Sequence, residues 1–310
     1  MSEMRGPVLL VGAGGAGSRL ASRAGGILGL DTLQISSDPD DLGPGGVLVP
    51  TRGVINPSSR YIRGCTDSVS GGITERISGC GTAVIFANLA GRSGSAIAPL
   101  VSRICRQLGR PAVSFAMMPF GFEKDRIANS GTALKRLRED SGCTIVIDND
   151  AFLGANPGMS PAECHGMTDS AVLYMAGSLG SLPEGTAVAS TSRDGVNLEE
   201  SFRDAFKALC TSAQPGGTGG SVLHVLGGRD APVGVLGAIS GLADGVLDGR
   251  GSVGLASGEG RSRVVMVTEL QGATRFDSYD PLDAIPRSDT IDWDEPECSI
   301  DCELKLPHLE

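Results

Sequence analysis

Aromatic residues and histidines are scarce in this chain. Aromatic residues make up 4% of its 310 residues, with a single tryptophan, and the three histidines are His165, His224 and His308. The sequence contains no His-Glu-x-x-His zinc motif, no Gly-x-Ser-x-Gly nucleophile turn and no complete lysine-containing phosphate loop. It therefore lacks the motifs that define zinc metalloproteases, α/β-hydrolases and P-loop nucleotidases.

Long apolar runs and basic residues are also lacking. No run is long enough to cross a bilayer, so we expect no direct membrane insertion. Residues 1–6 lead straight into a predicted strand, and we expect no signal peptide. The 26 Lys and Arg residues are outnumbered by 36 Asp and Glu residues, giving a formal net charge of −10, which disfavours nucleic acid as a partner. The eight scattered cysteines lack zinc-ligand spacing and indicate reduced thiols in a cytoplasmic protein.

Glycine, in contrast, is abundant, and two glycine-rich loops are the most informative feature. Residues 12–17 follow an apolar run at 8–11, and residues 90–96 follow another at 83–86. Each loop lies where a strand is expected to turn into a helix, so that backbone N–H groups and the positive end of the helix dipole point outward. Two such loops on one parallel sheet would hold a polyphosphate from two sides, which predicts a nucleotide site.

The first part of the chain reads as alternating strands and helices. Strands are predicted at 8–11, 32–36, 46–49, 83–87, 112–117 and 143–148, and helices at 16–28, 95–108 and 130–140. This alternation predicts an α/β fold with a parallel sheet whose loops lie along its carboxyl edge.

The second part of the chain predicts a smaller unit. A helix over 160–182 is expected to be capped by Ser160 and to begin with Pro161. The remaining expected elements are strands at 186–190, 221–226 and 263–270 and helices at 198–210 and 233–247. The predicted organisation is a nucleotide-binding domain at 7–159, a connecting helix at 160–182, a C-terminal domain at 183–276 and an acidic, extended tail at 277–310.

The first loop has a second interpretation. Its Gly-x-Gly-x-x-Gly pattern, followed by Asp38 after the next strand, fits a dinucleotide-binding fingerprint and an NAD-dependent oxidoreductase, with Asp38 on the ribose. A tight turn without ligand is a further alternative. The oxidoreductase hypothesis explains neither the second loop nor the missing hydride-transfer site.

The order of the motifs resembles that of the FtsZ/tubulin family over residues 7–276. The similar segments are the loop at 12–17, Ile-Ser-Ser-Asp at 35–38, Thr-Arg-Gly at 51–53, Gly-Arg-Ser-Gly-Ser at 91–95, Pro-Phe-Gly-Phe-Glu at 119–123, Ile-Asp-Asn-Asp at 147–150 and the strand at 221–227. The resemblance implies a Rossmann-like parallel-sheet GTPase domain, joined by a long central helix to a smaller α+β domain.

The resemblance also implies a ligand, GTP or GDP with or without Mg2+, and a set of contacting residues. These are Gly12, Ala13, Gly14, Gly15, Gly17, Ser18, Arg92, Ser93, Gly94, Ser95, Glu123, Arg126, Asn149, His165 and Asp169. Glu123 would accept from the ribose, Asn149 and Asp169 would read guanine, and His165 would stack on the base. The alternatives are a solvated loop acid at Glu123, a turn former at Asn149 and a helix-surface acid at Asp169.

Several positions depart from the family pattern. Arg92 replaces the central glycine of the second loop, where it would pair with a phosphate, block the site or fill it in place of ligand. The family's Asn-x-Asp-x-x-Asp loop, which positions the attacking water in a neighbouring subunit, has no counterpart after the long helix, and Glu184 is the nearest acid. Because phosphoryl transfer depends on positioning, we expect weak or absent GTP hydrolysis and predict no catalytic residue.

The resulting hypothesis is an FtsZ-like cytoskeletal or cell-division-associated protein that self-associates or binds an FtsZ-like partner. The acidic tail around Trp293 would dock an adaptor or remain a solvated terminus. An active polymerising GTPase, an NAD-dependent oxidoreductase and a scaffold without ligand are the alternatives.

Overall fold

One sheet of ten strands organises the molecule. The computed structural model describes residues 2–178, 181–182, 185–192, 197–213, 218–226, 233–246, 251–256, 263–272 and 274–280. The strands are β1 (Ser2–Glu3), β2 (Val8–Ala13), β3 (Asp31–Ser36), β4 (Val47–Leu48), β5 (Thr82–Asn88), β6 (Ala112–Met117), β7 (Cys143–Ile147), β8 (Ser181–Leu182), β9 (Gly185–Thr191), β10 (Thr218–Leu226), β11 (Gly251–Ala256) and β12 (Arg263–Leu270). The sheet order is β11-β10-β12-β9-β7-β6-β5-β2-β3-β4, and β1 pairs with β8 apart from it. Within the sheet, β12 runs antiparallel to β10 and β9, and the other pairs are parallel.

Helices cover both faces of this sheet. They are α1 (Gly14–Leu28), α2 (Ser59–Ser68), α3 (Ser70–Ser78), α4 (Arg92–Gln107), α5 (Lys124–Asp140), α6 (Asn149–Ala155), α7 (Pro161–Gly177), α8 (Leu198–Ser212) and α9 (Val233–Val246). Alternate residues of β2 point to opposite faces, so Leu9 and Val11 join the core shared with α4, whereas Leu10 joins the core shared with α1 and α7. A sheet buried on both faces explains why its parallel strands read as continuous apolar runs.

Most predicted elements are present, and some have different ends. β6 and β12 have the predicted bounds, and α1 and α4 begin two and three residues before the predicted starts at 16 and 95. The prediction missed α2, α3, α6 and β11, which are short or rich in polar and small residues.

The helix predicted over 160–182 is shorter than expected. Ser160 caps it and Pro161 opens it, as predicted, but α7 ends at Gly177. Ser181 and Leu182 form β8, which pairs with Glu3 and Ser2 of β1. The end of the predicted helix is wrong because these residues pair as a strand with the N-terminal segment.

The predicted C-terminal domain continues the same sheet. β7 pairs in parallel with β9, with Cys143 opposite Gly185 and Ile147 opposite Ala189. The strands assigned to 7–159 and 183–276 are therefore joined by backbone hydrogen bonds, with α7 packed over one face beside α1. The division into separate domains at these residues stays a prediction.

The start of the predicted acidic tail is part of the folded structure. Residues Arg275–Tyr279 form a 3-10 helix against α5, with Phe276 buried. The expectation of an extended tail from residue 277 is wrong for 277–280, because Arg138 pairs with Asp277 and Lys135 with Asp280. Trp293 and the rest of the tail lie outside the described residues. Among the described helices, none combines the length and apolar character needed to cross a membrane.

Candidate nucleotide-binding site

The two glycine-rich loops meet at the carboxyl edge of the sheet, where β2 and β5 are neighbours. A β-carbon added at Gly14 would lie 2.7 Å from the backbone nitrogen of Gly94 and 3.0 Å from the β-carbon of Ser93. Gly14 also has a φ of +71°, a left-handed conformation that favours glycine. The loops therefore approach each other closely, as the sequence predicted.

Two helix N-termini open into the cleft between these loops. α1 begins after Ala13 and α4 begins after Gly91, and neither helix has a side-chain cap or an acidic residue in its first turn. The first N–H groups of a helix lack partners inside the helix and carry the positive end of its dipole. Two uncapped N-termini on one cleft of about 570 Å³ form an arrangement suited to a polyphosphate.

Several predicted residues line this cleft and others lie beneath it. Those in the lining are Ala13, Gly14, Gly15, Arg92, Ser93, Gly94, Ser95 and Arg126. Gly12 and Gly17 instead permit close backbone packing, since added β-carbons would lie 2.5 Å from the Cα of Ser18 and 2.2 Å from the carbonyl oxygen of Phe86. Ser18 is fully buried, and its hydroxyl has no hydrogen-bond partner among the described residues.

The serine hydroxyls of the second loop are already engaged. The Ser93 hydroxyl lies 2.7 Å from that of Ser37, and the Ser95 hydroxyl lies 3.1 Å from that of Ser59. Ser95 also donates to the carbonyl oxygen of Arg92 at 3.1 Å. The backbone N–H groups, rather than these hydroxyls, are therefore the donors that the loop presents first.

Arg92 is exposed at the cleft, where α4 begins. Within the described part of the chain it forms no ion pair or side-chain hydrogen bond. A guanidinium in this position can bond to phosphate oxygens in a bidentate manner.

Asp41 packs closely against the first glycine-rich loop. An added β-carbon at Gly15 would lie 2.6 Å from a carboxylate oxygen of Asp41, and that carboxylate accepts from the Ser36 hydroxyl at 2.8 Å. Gly15 is therefore the residue that lets Asp41 pack against the start of α1. Asp38, the ribose ligand of the oxidoreductase hypothesis, instead accepts from the backbone N–H of Asp40 at 3.0 Å.

Glu123 and Arg126 form a local pair beside the cleft. Arg126 donates to Glu123 at 2.7 Å, and the backbone N–H of Phe120 donates to the other carboxylate oxygen at 3.1 Å. Glu123 keeps 18% of its side chain exposed at the start of α5. It can accept a ribose hydroxyl only while sharing its oxygens with these two donors.

Asn149 is buried at the end of β7, where α6 begins. Its side-chain amide donates to the carbonyl oxygen of Met118 at 2.9 Å, while its Oδ1 has no hydrogen-bond partner among the described residues. Because a buried polar atom without a partner is costly, this oxygen is suited to accept a hydrogen bond from a ligand.

His165 and Asp169 lie one turn apart on the same face of α7. The His165 ring lies 5.0 Å from the Phe120 ring at an angle of 59°. Burial raises the pKa of Asp169, while His165, Arg23 and Arg19 lower it. A partly desolvated carboxylate next to cationic groups can accept hydrogen bonds from a base edge.

The structure thus brings most of the residues predicted to contact phosphate into the lining of one cleft, and the three residues predicted to contact the base lie outside that lining. Outside the two glycine-rich loops, the lining residues that the sequence analysis missed are Asn56, Ser59, Asn88, Asp125 and Asn129. Asn88 could have been found, because it ends β5 immediately before the second loop. Asn56 and Ser59 reach the cleft from a distant loop and from α2, and no local pattern marks them.

Comparisons with known proteins agree with this architecture. Residues 56–157 match the family model described as Tubulin/FtsZ family, GTPase domain. Cell division protein FtsZ 2 of Halobacterium salinarum is 24% identical over 274 residues, covering 78% of this chain and 68% of that protein. For FtsZ 2 of Haloferax volcanii the identity is 25%, over 53% of this chain and 44% of that protein, so the chain spans less than half of this relative.

Solved structures show the same fold. An FtsZ dimer from M. jannaschii, described as empty, superposes with a TM-score of 0.72 at 20% identity, covering 88% of this chain and 89% of that one. CetZ2 from Haloferax volcanii, described as a GTPγS-bound protofilament, gives a TM-score of 0.67 at 16% identity, covering 89% and 98%.

The sheet with paired glycine-rich loops at its carboxyl edge, followed by a helix and further strands, gives the chain the α/β fold of these FtsZ and CetZ structures. The chain is similar to the Tubulin/FtsZ family in the segment that matches the family model, and it is similar to the cell division protein FtsZ 2 over most of its length.

Proposed function

We propose that this protein binds GTP and GDP at the cleft between α1 and α4, self-associates, and hydrolyses GTP weakly or not at all. The observation that carries the proposal is the meeting of two uncapped helix N-termini, with Gly14 against Gly94, on one cleft. Phosphates are the ligands that such a site favours. Arg92, which has no ion-pair partner among the described residues, adds positive charge at the cleft of an otherwise acidic chain.

Guanine is the proposed base. Asp169 on α7 and the unpartnered Oδ1 of Asn149 both accept hydrogen bonds, and the guanine edge offers N–H groups. Glu123 is the proposed ribose acceptor, and His165, beside Phe120, the proposed stacking ring. Mg2+ would be bound through the phosphates, because among the described residues no cluster of three or more metal-binding side chains is present.

Weak hydrolysis follows from the connection after α7. Only residues 178–184 separate this helix from β9, and Glu184, which lies outside the described residues, is their single acid. A loop this short lacks the carboxylates that would position water for a neighbouring subunit.

Self-association is proposed through the surface next to the cleft. The loop before α2 exposes Val54 and Ile55, the latter at 89%, and Leu48 is exposed nearby in the chain. Exposed apolar side chains next to a ligand site are typical of a contact surface. Two solved relatives are described as a dimer and as a protofilament. We further propose a cytoplasmic location, and an adaptor that binds the acidic segment around Trp293.

Nucleotide binding and turnover test this proposal directly. The purified protein is titrated with GDP, GTP, ADP and NAD, and phosphate release from GTP is followed at increasing protein concentration. We expect guanine nucleotides to bind more tightly than ADP or NAD and phosphate release to stay low. Preference for NAD would contradict the nucleotide assignment, and release that rises cooperatively with protein concentration would establish an active polymerising GTPase instead.

Arg92 provides a variant for the same titration. Because Arg92 has no side-chain partner in the described structure and lines the cleft proposed for the phosphates, Arg92→Ala is expected to weaken GTP and GDP binding by about tenfold. Arg203→Ala is the matched control, since Arg203 pairs with Glu199 on α8, which contributes no residue to the cleft. Tighter binding by Arg92→Ala would mean that Arg92 obstructs the site.

A further inference from the structure

A buried aspartate ends β7 and collects hydrogen bonds from three parts of the chain. Asp148 accepts from the backbone N–H groups of Asp150 and Ala151, which caps α6, and from the Ser212 hydroxyl at 2.7 Å. Its fourth donor is the guanidinium of Arg275. Burial raises the pKa of Asp148, and Arg275 opposes this shift, so the arginine is the charge partner of this buried carboxyl group.

Arg275 also bonds to the second aspartate of the same loop. Its other terminal nitrogen donates to Asp150 at 3.0 Å, and the remaining oxygen of Asp150 accepts from the backbone N–H of Gly121 at 2.9 Å. Gly121 fits closely, since an added β-carbon would lie 3.1 Å from the Asp150 carboxylate. Arg275 of the C-terminal segment is therefore bonded to the loop at 148–150, and Asp150 in turn joins this loop to Gly121.

These two loops carry the residues proposed to recognise the nucleoside. Asn149 lies between the two aspartates, and Glu123 lies two residues after Gly121. The segment that supplies Arg275 has its own attachment to α5, through the Arg138–Asp277 pair at 2.5 Å and the buried ring of Phe276.

We propose that Arg275 is a positioning residue of the nucleotide site, which fixes Asn149 and Glu123 by bridging Asp148 and Asp150 and thereby couples guanine recognition to the docked segment at 274–280. This inference rests on the proposed function. Arg275 acts through the loops and does not contact the nucleotide. By linkage, a nucleotide that requires the fixed loops stabilises the docked segment to the same extent.

Substitution of Arg275 tests the coupling. Arg275→Gln is expected to weaken GDP binding by at least about fivefold. ADP binding, which does not use the guanine contacts, is expected to change less, so that guanine selectivity falls. Arg275→Lys retains the charge but cannot bond to both carboxylates in the same planar geometry, and it is expected to restore part of the affinity. Because removing the charge partner of a buried aspartate destabilises the fold, the double variant Asp148→Asn with Arg275→Gln is measured as well.

Arg138→Gln is the matched control. It removes a guanidinium that holds the same segment through Asp277 and Thr274, without contact to the loop around Asn149. We expect a smaller loss of GDP affinity than in Arg275→Gln, because the bridge from Arg275 to Asp148 and Asp150 is retained. An equal loss in Arg138→Gln and Arg275→Gln would overturn the proposal, since docking of the segment in general would then explain the effect. Unchanged GDP affinity and selectivity in Arg275→Gln and in the double variant would overturn it too.

Hydrogen exchange provides a readout without nucleotide. The amide of Gly121, which donates to Asp150, is expected to exchange faster in Arg275→Gln than in the wild type or in Arg138→Gln. Equal exchange would overturn the link to the loops. If the wild type bound no guanine nucleotide, the proposed function and the effect on affinity would both fail, while faster exchange at Gly121 would still support the bridge by Arg275.

Discussion

At the scale of single residues, two positions of the proposed site are shaped by their surroundings, Asp169 in its pKa and Gly14 in its backbone conformation. Asp169 is half-buried, and burial raises its pKa, although Arg19, Arg23 and His165 counteract this effect. Gly14 combines a left-handed φ with contact to the opposite loop. Asp169 is the residue proposed to read the base, and Gly14 sets how closely the two loops approach.

Replacing Asp169 with asparagine tests its role in base recognition. A carboxylate accepts both N–H groups of guanine, whereas an amide accepts one and meets the other with its own N–H. Asp169→Asn is expected to weaken GDP binding by at least about tenfold and to improve binding of xanthosine diphosphate, whose base has a carbonyl at the second position. Asp67→Asn, at an exposed position of α2, makes the same chemical change as a control. Equal GDP affinity in all three proteins would remove Asp169 from the site.

The raised pKa of Asp169 predicts a pH dependence. On acidification this carboxyl becomes protonated at a higher pH than an exposed aspartate, and a protonated carboxyl can no longer accept two hydrogen bonds. As the pH is lowered, the GDP affinity of the wild type is therefore expected to decrease at a higher pH than that at which exposed aspartates become protonated. Asp169→Asn should lack this decrease. A pH profile shared by both proteins would assign the titration to another group.

Alanine at Gly14 tests the contact between the loops. The left-handed backbone and an added β-carbon 2.7 Å from the Gly94 nitrogen predict a loss of about 1–3 kcal/mol in the free energy of unfolding and weaker nucleotide binding. Gly26→Ala is the control on the same helix, because an added β-carbon there has nothing within 4 Å. The control is expected to be neutral or stabilising by up to about 1 kcal/mol. Similar unfolding curves for both variants would show that the close approach of Gly14 to Gly94 does not contribute to stability.

At the scale of elements, some helix N-termini are capped by side chains and others are not. α1 and α4 begin without caps where they face the cleft, whereas α7 begins with a complete capping box. In that box the Ser160 hydroxyl accepts from the backbone N–H of Glu163 at 3.3 Å, and the Glu163 carboxylate accepts from the backbone N–H of Ser160 at 2.8 Å. A cap satisfies the N–H groups that an anion site leaves open.

The cap of α7 can be tested by the same substitution at both ends of the helix. Ser160→Ala is expected to lower the free energy of unfolding by about 1 kcal/mol, because the first N–H groups lose their acceptor. Ser178→Ala removes an exposed hydroxyl that donates to the Tyr174 carbonyl at 3.0 Å, and a change within about 0.5 kcal/mol is expected. Urea unfolding measures the free energy of unfolding of both variants. Equal losses would mean that the capping hydrogen bond of Ser160 does not stabilise the protein more than the Ser178 hydroxyl does.

At the scale of the whole molecule, the sheet continues across the predicted domain boundary. β7 and β9 pair along five residues, and Val188 of β9 belongs to the core that also contains Leu9 and Ile85. Separate opening of the two parts would expose this core and break the pairing.

Thermal unfolding tests this continuity. We expect one cooperative transition, with equal calorimetric and van't Hoff enthalpies, because the two parts share hydrogen bonds and core. Saturating GDP should shift the whole transition to higher temperature, because at a GDP concentration of 100 times Kd the free energy of unfolding increases by about 2.7 kcal/mol. Two resolved transitions, with GDP raising the midpoint temperature of one of them, would instead support independent domains.

The sequence predicted the strands better than the functional contacts. β6 and β12 were predicted to the residue because buried strands read as apolar runs. α2 and the position of Asn56 were missed, because a short polar helix and a loop residue carry no strong period. The bridge formed by Arg275 joins residues more than a hundred positions apart, and no local pattern signals it.

The sequence by itself determined the alternating elements and the two glycine-rich loops, since apolar periodicity and left-handed glycine are local properties. Only the tertiary structure decided that α1 and α4 open uncapped into one cleft, that β7 and β9 join the two parts, and that Arg275 supports the loop around Asn149. These features depend on which elements become neighbours, and that is set by burial of the whole sheet rather than by any local segment.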